Sequence, residues 1–298
     1  MAVNTAGSST AAEREHYTTG SVTSKDSTTI GYRQLGHGPG VVLLHGMMSS
    51  GQNHMQLAEA LADAFTVCVP DRRGRGLSGP YSEDYSIRKD VEDMDALLTK
   101  TGARNVFGVS AGGIISLQAA LTLSAIHKVA IYEPPLFIND SGPTAVMTRF
   151  DQEMAQGKVA AALITAMKGS QLGPPIFNAM PRWLAERLTT MAMAQDDKNV
   201  KGGYVPMRAL APLLHYDFQL SVEKSGKLES FRAIRAEVLL LGGSKSPPYF
   251  KVALDALEKV LPRVKRVEFP GLDHAASWNT DRGGQPELVA QELRRFFV

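Results

Sequence analysis

Ser110 stands in the pentapeptide Gly108-Val109-Ser110-Ala111-Gly112, after the short run Asn105-Val106-Phe107 and before an apolar helical stretch through Ile114, Ile115, Leu117, Ala119 and Ala120. A Gly-x-Ser-x-Gly between a strand and a helix is a tight turn that lifts a serine above a sheet. Gly108 and Gly112 suit that turn because strand and helix backbones come too close there for a Cβ. A serine hydroxyl is unreactive alone. It needs a base to take its proton, an acid to orient the base, and donors for the charge that develops on the attacked carbonyl.

The base is expected late in the chain. Phe269-Pro270-Gly271-Leu272-Asp273-His274 delivers a histidine on a loop after the last strand, and the order serine, acid, histidine is one of the known triad orders. Other histidines suit the task less: His54 falls in a helix, His127 precedes a strand, and His215 lies in a helical insertion. For the oxyanion, one expected donor is the N–H of Ala111, which opens the helix and gains from its positive end. The second is the N–H of Met47, which follows His45-Gly46 at the end of an apolar strand; Gly46 lets the backbone turn sharply, and His45 reads as a side chain that orients this loop.

These groups must be held by a core, and the chain has the means to build one. At 298 residues, with 44% hydrophobic and 21% charged residues, it is an ordinary globular sequence. A net charge of +2 without a concentrated basic run gives no reason to expect nucleic acid or a membrane as partner, and Asp71-Arg72-Arg73-Gly74-Arg75 is too short for a nucleic-acid footprint. The single cysteine, Cys68, sits in the apolar run Phe65-Thr66-Val67-Cys68-Val69; it reads as a buried strand residue and fits a reducing, cytoplasmic compartment. Residues 1–15, rich in Ser, Thr and Ala, read as a flexible extension without the apolar segment of a secretory signal. No His or Cys spacing suggests a metal, and Gly74-Arg75-Gly76 lacks the third glycine of a dinucleotide fingerprint, so no cofactor is expected.

Alternating stretches near 16–24 and 27–35 predict an antiparallel pair of opening strands. Strands and helices then alternate: strand 41–44, helix 53–64, strand 65–69, helix 86–101, the Ser110 strand and helix, and strand 128–132. The alternation resumes with strand 237–241, helix 248–260, strand 264–269 and helix 286–297. Repeated βα units imply an α/β fold whose mostly parallel sheet is covered on both faces. Between them, residues 136–230 show helical spacing only and read as an inserted cap, with Gly142-Pro143 and Gly202-Gly203 as candidate hinges. Seven of the 12 methionines lie there: Met147, Met154, Met167, Met180, Met191, Met193 and Met207. They fill a small helical core or line a deformable apolar pocket. Gly46, Met48, Met154, Phe177, Trp183, Met191 and Tyr204 are the residues expected to touch substrate.

Leu44-His45-Gly46, the run from Asp71 to Ser78, Gly108 to Gly113, and Gly271 to His274 together resemble the α/β-hydrolase family over nearly the whole chain. The resemblance implies an eight-stranded, mostly parallel sheet with an inserted helical cap, and hydrolysis by a serine nucleophile. Epoxide hydrolases and haloalkane dehalogenases of this fold use an aspartate at the elbow, so Ser110 points away from them. Asp71 reads as structural, bonding backbone amides of its own glycine-rich loop.

The chain departs from the family at the acid. Members usually carry it in the loop after the strand matching 238–241, which here reads Gly242-Gly243-Ser244-Lys245-Ser246-Pro247, with Ser246 at the acid's position. Glu133, in Ile131-Tyr132-Glu133-Pro134-Pro135, ends the strand after the nucleophile helix. Strands of a parallel sheet end on one rim, so this carboxylate is expected level with Ser110 and the His274 loop, where some members place their acid; Asp273 and Asp140 are weaker candidates.

The glutamate's placement is similar to that of fungal lactonases that open the macrocyclic ring of zearalenone. Together with the apolar insertion it implies a small hydrophobic ester or lactone as substrate. The alternatives are a carbon–carbon bond hydrolase or cofactor-free perhydrolase on the same constellation, or a non-catalytic ligand-binding regulator of the same fold. Exposed helices of the insertion are candidates for a homodimer contact.

Overall fold

Val41, Val42, Leu43 and Leu44 form a continuous apolar run because their strand is buried on both faces, with alternate side chains entering opposite layers. Val42 and Leu44 pack in one core, Val41 and Leu43 in the other. The same split repeats at Leu240 against Leu239 and Leu241. The computed structural model describes residues 17–139, 142–172, 176–198, 200 and 203–298. Residues 1–15, Asp140, Gly202 and the run Gly173-Pro174-Pro175 lie outside the described residues, as does the side chain of Phe177.

Eight strands form one sheet: β1 (Thr18–Thr23), β2 (Thr29–Gly36), β3 (Gly40–Leu44), β4 (Thr66–Pro70), β5 (Asn105–Val109), β6 (Lys128–Tyr132), β7 (Glu237–Gly243) and β8 (Val264–Phe269), in the order β1-β2-β4-β3-β5-β6-β7-β8. The β1–β2 and β2–β4 pairs are antiparallel, and every later pair is parallel. Helices α1 (Met55–Leu61) and, at the end of the chain, α11 (Pro286–Phe297) cover one face through Leu57, Leu61, Val289 and Leu293. On the other face lie α2 (Ile87–Thr101), α3 (Ala111–Thr122) and α10 (Pro248–Val260), through Met94, Leu97, Ile114, Ile115, Leu254 and Leu257. Strands and helices thus fall where the periodicity put them.

Between β6 and β7 the described residues form helices only: α4 (Thr144–Ala155), α5 (Val159–Ser170), α6 (Ile176–Ala179), α7 (Arg182–Asp196), α8 (Met207–Leu210) and α9 (Leu214–Lys224). They share a third core of Phe150, Ala162, Leu163, Ala166, Met193, Leu214 and Phe218, with Met147, Met154 and Met207 packed against it. These methionines therefore serve the helical core.

A buried ion network ties these helices to the sheet. Asp217 of α9 receives Arg72 Nη1 and Arg75 Nη2, both at 2.7 Å, while Tyr216 stacks on Tyr81 with centroids 3.8 Å apart. Arg73 is held by Asp26 and Asp93. The sequence presents these arginines as a short basic patch, yet all three are buried, because each has a carboxylate waiting from a distant segment. Asp71 bonds its loop, accepting Leu77 N–H at 2.8 Å, and joins it to Gly51 N–H at 2.7 Å and to Arg33 at 3.0 Å. Cys68 is buried in β4, where desolvation pushes its thiol pKa up and leaves it unreactive.

Candidate active site

The elbow turn is enforced by close packing. A Cβ on Gly108 would lie 2.4 Å from the Gly112 carbonyl oxygen, and one on Gly112 would lie 2.4 Å from that of Leu44. Ser110 adopts φ 55° and ψ −124°, a conformation an L-residue holds only when its surroundings over-determine it. Its N–H donates to the Tyr132 carbonyl at 2.9 Å, which ties the turn to the end of β6. The Ser110 side chain is buried, and its Oγ has no hydrogen-bond partner among the described residues.

Glu133 follows directly on β6. It takes φ 45°, a left-handed conformation for a non-glycine residue, and its N–H donates to Leu241 O at 3.1 Å. This bend turns the carboxylate along the sheet rim toward the His274 loop. Glu133 Oε2 lies 2.8 Å from His274 Nδ1, and Oε1 accepts the Gly243 N–H at 2.6 Å. Glu133 is 1% exposed, so this carboxylate works in a low-dielectric site with both oxygens engaged. A hydrogen on His274 Nδ1 donates to Glu133, which leaves Nε2 as the proton acceptor.

The His274 loop is pinned from below: Tyr132 Oη donates to the Asp273 carbonyl at 2.8 Å. The Asp273 carboxylate instead accepts the Ala275 N–H at 2.9 Å, closing a local turn. The Phe250 ring lies parallel to His274, with centroids 4.5 Å apart and planes at 11°. The imidazole is thus held at Nδ1 by a carboxylate and on one face by an aromatic ring.

The loop after β3 closes over Ser110. A Cβ on Gly46 would sit 2.7 Å from Ser110 Cβ, so no other residue fits there. His45 braces this loop from inside: its Nδ1 lies 2.9 Å from the Gly46 carbonyl, and its Nε2 accepts the Arg72 N–H at 3.0 Å. Both bonds require the neutral imidazole with its hydrogen on Nδ1. Burial, with Arg75 and Arg72 nearby, holds the His45 pKa well below the ordinary histidine value. Met48 takes φ 49° as the loop turns, and Ala111 opens α3 immediately after Ser110.

A cleft of about 530 Å³, counting its open mouth, reaches Ser110 and is walled by Met47, Pro135, Phe137, Pro143, Leu172, Phe218, Tyr249 and Phe250, with Ser170, Gln171 and Ser221. Of the residues expected to touch substrate, Gly46 lies against Ser110, and Met48 and Met154 pack on the helical core that includes the cleft residue Phe218. Trp183 and Met191 do not reach it: they are 66% and 62% exposed, because α7 turns Ala185, Thr189 and Met193 inward and presents the opposite face to solvent. Tyr204 is engaged elsewhere, donating to Asp196 at 2.6 Å with Arg282 over its ring.

The aromatic walls escaped the sequence reading. Phe137 follows Glu133 by four residues, and Tyr249 and Phe250 lie in the first turn of α10, directly beyond β7. The signal available was positional: β6 and β7 are neighbours, so residues just past their C-terminal ends share a rim. Behind Glu133 a second, more polar hollow is lined by Glu133 itself with Gly242, Ser246, Lys251 and Glu268, so Ser246 shares that hollow with the glutamate. No cluster of three or more His, Cys, Asp or Glu suited to a metal occurs among the described residues, and none of their helices is long and apolar enough to cross a membrane.

An eight-stranded sheet with a strained serine at a strand-to-helix turn and a histidine–glutamate pair on the same rim is the architecture of an α/β hydrolase. A model of the alpha/beta hydrolase family matches residues 41–292, and the chain belongs to that family of enzymes. It is similar to a 3-hydroxybutyrate-oligomer hydrolase of Cupriavidus necator, 26% identical over 80% of this chain and 83% of the relative. It is also similar to a 2-(acetamidomethylene)succinate hydrolase of Mesorhizobium japonicum, 25% identical over 90% of this chain and 91% of the relative. Among solved structures, an alpha/beta hydrolase from Sphaerobacter thermophilus superposes with a TM-score of 0.76 at 29% identity, covering 94% of this chain and all (100%) of that one.

Proposed function

We propose that the protein hydrolyses a hydrophobic carboxylic ester or lactone through an acyl-enzyme on Ser110. The observation that carries this reading is the two-point grip on His274: the Glu133 carboxylate at Nδ1 and the parallel Phe250 ring leave Nε2 as the one acceptor of the imidazole. In the first half-reaction His274 Nε2 takes the Ser110 proton while Oγ attacks the ester carbonyl. The N–H groups of Met47 and Ala111 receive the oxyanion, and the imidazolium is balanced by Glu133. His274 then returns the proton to the leaving alkoxide. In the second half-reaction it takes a proton from water, whose oxygen attacks the acyl carbon and restores Ser110.

The apolar walls of the cleft support a hydrophobic acyl group. The finer reading is a lactone, supported by an acid at the end of β6, similar to the arrangement in lactonases that open zearalenone. A panel of p-nitrophenyl esters tests the class, and a macrocyclic lactone beside the linear ester of equal carbon count tests the refinement. Turnover abolished by Ser110→Ala is expected. Esters left untouched by the wild-type protein would remove the hydrolase reading, and equal rates on ring and chain would remove the lactone preference.

A further inference from the structure

α5 ends without the residue that usually closes a helix. Helices commonly stop on a glycine in the left-handed conformation, whose turn satisfies the last carbonyls. Here Gln171 takes that position at φ 55° and ψ 23°, a costly backbone for a residue with a Cβ. The nearby Gly169 serves another purpose: a Cβ on it would lie 2.5 Å from Val146 Cγ1, so it lets α4 come close. Ser170 O is one of the terminal carbonyls that no later turn of the helix can reach. Its donor comes from the core, where Tyr249 Oη donates to Ser170 O at 3.0 Å.

Tyr249 is held firmly enough to serve as that donor. It stands in the first turn of α10, and its ring lies parallel to Phe137 with centroids 6.0 Å apart and planes at 5°. On its other side Phe250, at 4.1 Å, is the ring that covers His274. Tyr249, Ser170, Gln171 and Leu172 all wall the cleft that reaches Ser110. α9 is bound to the core by the ion pairs of Asp217, whereas the end of α5 meets it through this hydroxyl. An acyl chain too long for the cleft must push the wall at residues 170–172 outward and break that bond.

We infer that Tyr249 is a positioning residue for substrate size: by capping α5 from across the cleft, its hydroxyl fixes the wall at residues 170–172 and so limits the acyl chain the cleft accepts. Esters of short acyl groups are then favoured over long ones by the strength of this one bond. This rests on the ester-hydrolase reading above and narrows it to a range of acyl length.

Tyr249→Phe removes the hydroxyl and keeps the ring between Phe137 and Phe250. Steady-state kinetics on p-nitrophenyl acetate, butyrate, hexanoate, octanoate and decanoate, compared as ratios within each protein, cancel the intrinsic reactivity of each ester. The kcat/KM ratio of the longest esters to acetate is expected to rise about three- to tenfold in the variant, the span of one net hydrogen bond, with the change carried by KM. Amide hydrogen exchange over residues 168–172 should quicken several-fold in the same variant. Tyr249→Leu should move the ratio in the same direction and serves as the second variant if Tyr249→Phe does not fold. Faster exchange with every ratio unmoved overturns the role of Tyr249 in substrate size, and unmoved exchange overturns the cap itself; both results leave the hydrolase reading standing. Absence of wild-type turnover on all the esters overturns the hydrolase reading and this inference with it.

Discussion

Replacing Glu133 by Gln probes the site with almost no change of shape, and the structure dictates which way the amide must face. Gly243 N–H is a fixed backbone donor 2.6 Å from Oε1, so the amide oxygen of the variant is held there. The amide NH2 then points at His274 Nδ1, which lies 2.8 Å from the other carboxylate oxygen. Two donors cannot share that bond, so the imidazole moves its hydrogen to Nε2 and presents a lone pair at Nδ1. Nε2 can then no longer accept the Ser110 proton. The charge that balances the imidazolium is lost as well. Interchanging acid and amide in a triad of this kind costs about 10⁴ in kcat in the handiest precedent, a serine protease. Here a fall of about 10³ to 10⁴ is expected, equivalent to about 4–5.5 kcal/mol of transition-state stabilisation. KM should change by less than about threefold, since Glu133 faces His274 and Gly243 and does not wall the apolar cleft.

The assay is steady-state hydrolysis of a short p-nitrophenyl ester, with circular dichroism to verify folding. Because Ser246 shares the hollow behind Glu133, Ser246→Asp in the Glu133→Gln background should recover at least about tenfold of the loss. A Glu133→Gln protein that retains activity within a few-fold of wild type would refute the orientation argument.

Other perturbations act through the same framework. Asp217→Ala strands the buried Arg72 and Arg75 without their shared carboxylate, and urea denaturation should show a loss of about 3–5 kcal/mol; a loss under 1 kcal/mol would mean the network contributes nothing. Phe250→Leu removes the ring stacked on His274, so kcat should fall several-fold with KM for the smallest ester little altered; an unchanged kcat would limit Phe250 to packing. His54 is buried neutral with its pKa depressed by desolvation to about 4, against 6.5 when unfolded. The unfolded chain therefore binds more protons between these values. The stabilisation is complete above the unfolded value and is lost as pH falls toward the folded one, leaving this group's contribution about 2–3 kcal/mol smaller at pH ~4.5 than at pH ~7.5. His54→Gln should shrink the pH dependence of the denaturation midpoint by that amount, and an unchanged dependence would place the titration elsewhere.

Much of the architecture was legible because burial on both faces writes itself as β-branched and apolar runs: 41–44, 128–132 and 237–241 could hardly be anything but inner strands. The elbow was legible from its glycines, whose absent Cβ atoms are what lets β5, α3 and the β3 loop meet. The positions of His274 and Glu133 followed from a topological rule, that parallel strands end on one rim. The cleft walls did not follow, because residue type was a poor guide without helical phase. Trp183 and Met191 looked like pocket residues but share the outward face of α7, while Phe137, Tyr249 and Phe250 came from segments whose adjacency depends on the β6–β7 pairing. The buried arginines were equally opaque, since Asp217 lies over 140 residues from Arg72 in the chain, and only folding pairs them.

Labelling with a serine-directed fluorophosphonate, followed by intact mass and peptide analysis, tests most directly whether Ser110 is a nucleophile activated by His274 and Glu133. A single adduct on the peptide carrying Ser110 is expected, absent in Ser110→Ala and formed at least about 10³-fold more slowly in His274→Ala. An unlabelled protein, or an adduct on any other residue, would contradict the account.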